Sequence, residues 1–177
     1  MVYSRVSRRL RELGQPSFAS YLQWLEHSRD AAGVAEWQQF VNCLTTNLTS
    51  FFREEHHFAV LAEALARRRD ERLRIWCNAA STGEEPYSLA MTVAEALGAS
   101  ADVKIVCTDV DTHVLATAER GIYPAEASGL GPERLRRHFL RGSGAISGRI
   151  RVKPELRRLC EFAAFNLIGP AVVPLRL

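Results

Sequence analysis

Residues 73–87, LRIWCNAASTGEEPY, decide how this chain of 177 residues folds. The stretch begins with an apolar run, 73–79, whose length and whose Ile and Trp are typical of a buried β-strand. Small residues then form a turn, Glu84 and Glu85 follow it, and apolar residues at helical spacing predict a helix over 86–97. A strand, a turn and a helix in this order predict the first half of a βαβ unit.

The same alternation continues along the chain. Two further apolar runs, VKIVCTD at 103–109 and CEFAAFNL at 160–167, are typical of buried strands, and DTHVLATAERG at 111–121 predicts a helix between them. Strands that alternate with helices pair in parallel through right-handed crossovers. The predicted fold class is therefore α/β, with a Rossmann-like sheet of which three strands are present.

The residues before this region predict a separate N-terminal helical domain over 1–46. Apolar residues at helical spacing predict a helix over 2–13, a second helix that starts at Pro16, and a third helix over 34–45. The first helix is rich in arginine. The residues expected to face inward on the third helix are Trp37, Phe40, Val41 and Leu44.

Two other segments complete the predicted organisation. Residues 47–70 are predicted as a linker and a long helix, which follows Arg53 and runs to about residue 69, leading into the α/β domain of 71–177. Within that domain, RGSGAISGRIRV predicts two short strands around a Gly/Ser loop. This hairpin is expected to form a small inserted β-subdomain over about 138–153.

Composition and charge exclude several classes of protein. Hydrophobic residues make up 47% of the chain, which is enough for a core, and the net charge of +3 is too small to indicate nucleic acid. A basic helical nucleic-acid binder is disfavoured because no β face interleaves aromatic and basic residues. No apolar run approaches the roughly 20 residues of a membrane span, and the N-terminus has no apolar signal region. We therefore expect a cytoplasmic protein without membrane insertion.

Cysteine and histidine spacing predicts no metal site. Four cysteines lie far apart and form no CxxC pair, so reduced core cysteines are expected rather than a zinc site. His56 and His57 are neighbours in a predicted helix. Adjacent helical side chains point about 100° apart, so this pair cannot bind one ion well.

The turn and the end of the second strand indicate a cationic, ribose-containing ligand. Ligands bind at the carboxyl ends of parallel strands, where an acid such as Asp109 typically accepts hydrogen bonds from a ribose diol. The turn is not GxGxxG, and Glu84 and Glu85 would repel a pyrophosphate but suit the ammonium and sulfonium of S-adenosylmethionine. Charge therefore favours S-adenosylmethionine over NAD. Taken alone, the two glutamates are also ordinary helix N-terminal acids, and Asp109 is also an ordinary N-cap.

Four motifs in a fixed order carry a specific resemblance. They are CLTTNLTSFFRE at 43–54, NAASTGEEPYSLA at 78–90, CTDVDTHVLATAERGIY at 107–123 and the RGSG loop at 141–144. Together they resemble CheR, the family of chemotaxis-receptor glutamate methyltransferases, over residues 1–167. The resemblance implies S-adenosylmethionine-dependent methylation of glutamate side chains on chemotaxis receptors.

The resemblance also assigns roles to individual residues. The candidate cofactor-binding residues are Asn47, Thr49, Arg53, Glu85, Asp109, Asn166 and Leu167. By resemblance, Glu85 lies near the methionyl part of the cofactor, Asp109 holds the ribose, and the pair 166–167 lies near the adenine. Arg53 is the candidate catalytic residue, which orients the substrate carboxylate; a structural arginine at a helix start is the alternative.

The partner implied by the resemblance is a methyl-accepting chemotaxis receptor. The candidate receptor-binding residues are Arg5, Arg8, Arg9 and Arg11. They belong to the first helix, which resembles the basic helix thought to face the receptor's acidic methylation helices. The hairpin after RGSG resembles the small β-subdomain that docks the receptor's C-terminal tail in some family members.

Both ends of the chain depart from the family pattern. The helix that usually precedes the basic helix is expected to be absent, and three of the seven strands typical of this methyltransferase fold are expected to be present. The tail with Pro170 and Pro174 does not follow the family pattern. The alternative function is therefore a catalytically inactive remnant, or a receptor-binding module of the same family.

Overall fold

A computed structural model describes residues 2–98 and 101–168, with side chains from Tyr3 onward. The chain divides into two compact units. The helical unit comprises Met1–Thr46 and Val110–Thr112, and the α/β unit comprises Asn47–Asp109 and His113–Leu177. The tail with Pro170 and Pro174 lies outside the described residues.

Three helices form the helical unit, as predicted. They are α1 (Val2–Glu12), α2 (Phe18–His27) and α3 (Ala31–Leu44). Ser17 caps α2 by accepting a hydrogen bond from the backbone N–H of Ser20 at 3.1 Å. Asp30 caps α3 by accepting one from Gly33 N–H at 2.9 Å. This cap explains why α3 begins at Ala31, three residues before the predicted start.

The apolar core of the helical unit comes from α1 and α2. Its buried residues are Val6, Leu10, Tyr21 and Leu25. The predicted inward face of α3 is right for Phe40, which packs against this core, and wrong for Trp37 and Leu44, which are 38% and 41% exposed. The two others predicted to face inward, Phe40 and Val41, are half-buried.

The same face of α3 also carries a buried charge, Glu36, one turn before Phe40. It is 4% exposed and lies on α3. Arg9 Nε donates to its carboxylate at 2.8 Å and Tyr21 Oη donates at 2.7 Å. Burial alone would raise the pKa of Glu36, but these two hydrogen bonds outweigh it and lower the pKa. The carboxylate is therefore charged and paired inside the unit.

The α/β unit contains a parallel three-stranded sheet and a smaller antiparallel sheet. Its elements are α4 (His56–Ala66), β1 (Leu73–Cys77), α5 (Glu84–Leu97), β2 (Val103–Asp109), α6 (Thr112–Arg120, whose first residue belongs to the helical unit), β3 (Ile122–Pro124), α7 (Pro132–His138), β4 (Phe139–Arg141), β5 (Arg149–Val152), α8 (Pro154–Arg157) and β6 (Cys160–Ala164). The parallel sheet has the order β1-β2-β6. The α/β fold class predicted for the chain is confirmed.

Register brings the ends of the three parallel strands to one edge of the sheet. Cys77 pairs with Cys107 across β1 and β2, and Asp109 pairs with Ala164 across β2 and β6. The last residues of all three strands therefore lie near each other. In open parallel sheets this carboxyl edge is where ligands bind.

Helix α5 packs several completely buried side chains into the core of this unit. Tyr87, Met91 and Val93 on α5 are completely buried, as are Ile105 and Cys107 on β2. Burial of one large apolar side chain contributes roughly 1.5–3 kcal/mol. The N-terminal end of α5 is thus fixed against the sheet. The β1–α5 turn, which leads into it, is therefore also held in place.

The long helix predicted after Arg53 is shorter than expected. Helix α4 begins at His56 because the backbone reverses just before it, with φ of 51° at Phe52 and 56° at Glu54. It ends at Ala66 rather than near residue 69. Residues with positive φ cannot continue an α-helix.

The second sheet has three antiparallel strands in the order β3-β5-β4. Strands β4 and β5 are the predicted hairpin, and β3 was not predicted because it has only three residues and ends in Pro124. The β-subdomain therefore reaches back to Ile122. Its two ends meet, since the backbone N–H of Val152 donates to the carbonyl of Gly121 at 2.9 Å.

Cysteines and histidines do not converge within the described residues. The buried cysteines are Cys77, Cys107 and Cys160, and Cys43 is half-buried; all four are free thiols. Within residues 2–98 and 101–168, no group of three or more His, Cys, Asp or Glu side chains is arranged to hold a metal ion. No helix in these same ranges has the length and apolar content to span a membrane.

Candidate cofactor site

The turn between β1 and α5 is fastened to the end of β2. The backbone N–H of Ser81 donates to Asp109 Oδ2 at 2.8 Å, and the N–H of Ala80 donates to the carbonyl of Thr108 at 2.9 Å. Ser81 has a left-handed backbone with φ of 48°. Asp109, 8% exposed, thus fixes the turn that the sequence predicts to approach the ligand.

Gly83 closes the turn where no side chain fits. Its φ is 99°, and a Cβ at this position would lie 2.6 Å from Tyr123 Oη and 2.8 Å from Ala118 Cβ. Tyr123 Oη also donates to the carbonyl of Thr82 at 2.8 Å. Helix α6 and strand β3 therefore support the turn from behind, and they require glycine at this point.

The two glutamates at the start of α5 have different environments. Glu84 Oε2 accepts a hydrogen bond from Thr82 Oγ1 at 2.6 Å, so it stabilises the turn locally. Glu85 is exposed, and its Oε1 lies 3.7 Å from Cys77 Sγ at the end of β1. Burial raises the pKa of the Cys77 thiol, and the negative charge of Glu85 raises it further. The thiol stays protonated, and the local charge is negative.

These residues fit a ligand with a cation and a ribose. In the described part of the chain, Ser81 Oγ is buried without a hydrogen-bond partner, although buried hydroxyls are normally paired. The backbone N–H of Ser81 donates to the Asp109 carboxylate, which suits a diol, and the exposed Glu85 carboxylate suits an ammonium or a sulfonium. The donor set therefore matches S-adenosylmethionine, and the negative charge disfavours a pyrophosphate.

The residues predicted for the adenine side follow β6 directly. The backbone N–H of Phe165 donates to the carbonyl of Asp109 at 2.9 Å, so the chain after β6 stays beside the end of β2. Asn166 and Leu167 come next and are exposed. Asn166 Oδ1 accepts a hydrogen bond from the N–H of Ile168 at 2.9 Å. Both residues thus lie at the same sheet edge as Asp109.

The predicted segment 47–53 is held to α5 through its aromatic residues. Phe51 is buried, and the N–H of Phe52 donates to Ser88 Oγ at 2.9 Å. Arg53 is exposed, and its Nη1 donates to the carbonyl of Leu48 at 2.9 Å. Asn47 is exposed and Thr49 is half-buried. The structure thus anchors this segment in the core while leaving the guanidinium of Arg53 at the surface.

The four arginines predicted for receptor binding divide into two pairs. Arg5 and Arg9 are half-buried: Arg5 donates to the carbonyl of Thr45, and Arg9 pairs with the buried Glu36. These two therefore have an internal role in the helical unit. Arg8 and Arg11 are exposed, although Arg8 Nε lies 3.7 Å from a carboxylate oxygen of Glu12.

Ser81 and Tyr123 belong to the structure of the candidate site, and the sequence did not single them out. The role of Ser81 depends on its left-handed backbone, which no local pattern indicates for serine. Tyr123 supports the turn from 41 residues away. The only signal that could have indicated them is the lone glycine at 83, because a lone glycine often marks a close approach of other atoms.

Family models match almost the whole chain. The model described as "CheR methyltransferase, all-alpha domain" matches residues 1–45, and the one described as "CheR methyltransferase, SAM binding domain" matches residues 47–175. The chain belongs to the CheR methyltransferase family. The prediction of S-adenosylmethionine as the cofactor of the CheR domain is confirmed by the description of the second model.

Curated CheR relatives carry the same family name. The "Chemotaxis protein methyltransferase" of Salmonella typhimurium is 52% identical over 170 residues, covering 95% of this chain and 58% of the relative. The protein of that name from Escherichia coli is 51% identical over 171 residues, covering 96% and 58%. "Chemotaxis protein methyltransferase 2" of Pseudomonas aeruginosa is 54% identical over 173 residues, covering 95% and 60%. The chain thus spans about three fifths of the length of these relatives.

Proposed function

We propose that this chain is the cofactor-binding and receptor-facing part of an S-adenosylmethionine-dependent protein-glutamate methyltransferase that acts on chemotaxis receptors. The observation that carries the proposal is the turn between β1 and α5, where the amide of Ser81 is fixed by Asp109 and the hydroxyl of Ser81 is left without a partner. Membership of the CheR family supports both the cofactor and the receptor class.

The binding roles follow from charge and position. Asp109 binds the ribose diol, and the exposed carboxylate of Glu85 favours the cationic methionyl end. The Ser81 hydroxyl supplies a further polar contact. Asn166 and Leu167, which follow β6 at the same sheet edge, are the candidates for the adenine side. When bound, S-adenosylmethionine supplies an electrophilic methyl group.

The acceptor requires little chemical activation. A glutamate side chain is already ionised at pH 7, so no residue has to remove a proton from it. The protein then contributes by holding the carboxylate in line and by excluding water. Arg53 orients the carboxylate in this proposal. A moderate contact serves better than a tight ion pair, because the carboxylate loses charge in the transition state.

Two surfaces suit the receptor. Arg8 and Arg11 are exposed on α1 and complement the acidic methylation helices of a chemotaxis receptor. On the β-subdomain, a cavity of about 390 Å³ is lined by apolar and basic side chains that include Leu140, Arg141 and Ile150. This composition suits a short acidic and apolar segment such as a receptor's C-terminal tail.

A second candidate is a receptor-binding module that does not transfer methyl groups. The observation that favours it is that two surfaces suited to a receptor, the exposed arginines of α1 and the cavity on the β-subdomain, use none of the candidate cofactor-binding residues. Such a module would keep α1 and the β-subdomain as its binding surfaces.

Calorimetric titration of the chain with S-adenosylmethionine tests the proposed function, followed by transfer of a radiolabelled methyl group to a receptor cytoplasmic fragment. We expect saturable binding and labelled receptor. Binding without transfer, by a chain that still binds the receptor fragment, would favour the module. A chain that binds neither the cofactor nor the receptor would contradict both candidates.

A further inference from the structure

A row of polar side chains on α3 holds the turn that follows Asp109. Gln38 and Asn42 lie four residues apart, so they share one face of the helix, and Thr45 ends the helix on the next turn. The turn itself, Val110–Thr112, belongs to the helical unit although it directly continues β2.

The two amides of this row bind both ends of the turn. Gln38 Nε2 donates to the carbonyl of Val110 at 2.8 Å and to Asn42 Oδ1 at 2.8 Å. Asn42 Nδ2 donates to Thr112 Oγ1 at 3.1 Å, and Asn42 Oδ1 accepts from the N–H of Thr112 at 3.2 Å. Asn42 thus binds the hydroxyl and the backbone N–H of Thr112, and Gln38 orients Asn42.

Thr45 binds the middle of the turn. Its Oγ1 lies 2.6 Å from Asp111 Oδ2 and 2.9 Å from the carbonyl of Asn42. Asp111 is 3% exposed, so its carboxylate needs such partners. Each of the three residues of the turn is therefore held by a side chain of this row.

Asp109, the residue before this turn, has its backbone fixed by strand β6. Asp109 pairs with Ala164 of β6, and its carbonyl accepts the N–H of Phe165. The direction in which the chain leaves Asp109 then depends on Val110–Thr112. This direction affects the backbone torsion angles of Asp109, and these angles determine which rotamers, and so which orientation, its carboxylate can adopt.

We propose that Gln38, Asn42 and Thr45 are positioning residues for the carboxylate of Asp109. They act through the turn and need not contact the ligand. The inference rests on the proposed function, since it requires a ribose-containing ligand at Asp109. If the loss of one member leaves the competent turn populated in a tenth of the molecules, the apparent affinity falls about tenfold.

The test uses Thr45→Val, which keeps the shape of the side chain and removes its hydroxyl. Two probes are titrated by calorimetry: S-adenosylhomocysteine, and its analogue without the two ribose hydroxyls. We expect the variant to lose about tenfold in affinity for the first probe and less than about twofold for the second. Thr45→Ser, which restores a hydroxyl, should recover the binding of S-adenosylhomocysteine.

A ligand-free measurement and a matched pair of variants complete the test. Amide hydrogen exchange at Val110–Thr112 should be faster in Thr45→Val than in the unaltered chain. Gln38→Ala should behave as Thr45→Val does and serves as the second variant if that one fails to fold. Gln39→Ala changes the neighbouring glutamine, which points to another side of α3, and should leave binding unchanged.

Equal weakening of both probes, or no weakening of either, would overturn the inference while the proposed function stands. An unaltered chain that binds neither probe would overturn the proposed function, and the inference would fall with it. Unchanged hydrogen exchange at the turn in both Thr45→Val and Gln38→Ala would overturn the inference whatever the binding results.

Discussion

Gly83 and Ser81 both have left-handed backbone conformations, with φ of 99° and 48°. The conformation is stabilised differently at the two residues. Glycine adopts this region without steric cost, whereas another residue there costs roughly 1–2 kcal/mol. At Ser81 the hydrogen bond from its N–H to Asp109 offsets that cost. Asp109 is therefore needed for the shape of the turn as well as for its charge.

Replacing Gly83 by alanine should destabilise the chain more than replacing Gly98, whose φ is 88°. Both changes force alanine to a positive φ, which is combined with ψ of 0° at Gly83 and of 161° at Gly98 and strains an L residue in either case. At Gly83 the new Cβ also meets Tyr123 and Ala118, whereas nothing lies within 4 Å of it at Gly98. We expect about 1 kcal/mol of lost unfolding free energy at Gly98 and a further 1–3 kcal/mol at Gly83, measured by urea denaturation. Equal losses would show that the close approach is relieved at no cost.

Replacing Arg53 by alanine should lower turnover about 100-fold while cofactor affinity changes less than threefold. The exposed guanidinium is proposed to orient the acceptor carboxylate, and misplacement of a reacting group costs rate on this scale. Methyl transfer to a receptor fragment and calorimetry with S-adenosylhomocysteine measure the two quantities. Arg67→Ala, which changes an exposed arginine after α4, is the control and should alter neither. Parallel loss of turnover and affinity would contradict the proposed role.

The residues of the candidate site could be predicted only in part from the sequence. Asp109 and Glu85 follow from the rule that ligands bind where a strand ends and a helix begins, and the apolar pattern locates both points. The contributions of Ser81 and Tyr123 depend on a backbone angle and on a contact between distant parts of the chain. Neither the backbone angle nor the long-range contact can be recognised from the local sequence.

At the scale of elements, α7 is fastened to α5 by three side chains. Arg134 donates to both carboxylate oxygens of Glu95, at 3.1 Å and 3.0 Å, and His138 Nε2 lies 3.1 Å from Glu95 Oε1. His138 is 4% exposed. Burial lowers the pKa of His138, and the hydrogen bond and charge of Glu95 offset this only in part, while Arg137 and Lys153 lower it further.

The free energy of unfolding should therefore fall as the pH drops from 7.5 to 5.5. The ordinary pKa of histidine is 6.5, so the unfolded chain takes up a proton in this window before the folded chain does. Burial acts to raise the pKa of Glu95, but Arg134 and then His138 lower it, and that contribution is lost only below its ordinary value of 4.5. Urea midpoints at several pH values measure the slope.

The variant His138→Gln should make that slope smaller. Glutamine keeps a hydrogen-bond donor toward Glu95 and does not titrate. His27→Gln, which changes an exposed histidine at the end of α2, is the matched control and should keep the slope of the unaltered chain. A slope that persists fully in His138→Gln would assign the pH dependence to other groups.

Elements of sufficient length could be predicted from the sequence, and short or polar ones could not. The strands β1, β2 and β6 are apolar runs flanked by helices, and that pattern has few interpretations. Strand β3 is three residues long and carries no pattern of its own. The face of α3 was predicted only in part, because a buried Glu36, paired with Arg9, stands beside Phe40 where a helical pattern assumes an apolar residue.

At the scale of the whole molecule, binding of the cofactor product should stabilise the fold. A ligand present at 100 times its Kd adds about 2.7 kcal/mol to the free energy of unfolding, which for a chain of this length raises Tm by roughly 5–11 °C. Differential scanning fluorimetry with S-adenosylhomocysteine measures the shift. The charge of the β1–α5 turn predicts no such shift with NAD at the same concentration, and a shift of equal size with NAD would contradict a site selective for a cation.

The hydrogen bond between Val152 and Gly121 has a consequence for how this architecture changes over time. The segment from β3 to β5 leaves the α/β framework and re-enters it at neighbouring backbone positions, which that bond joins. The intervening thirty or so residues therefore form a cassette whose two ends are already joined. Changes in its loops leave intact the crossover that brings β6 beside β2, whereas Tyr123, which supports the β1–α5 turn, and Arg134 and His138, which pair with Glu95, have to be kept if the framework is to stay unchanged.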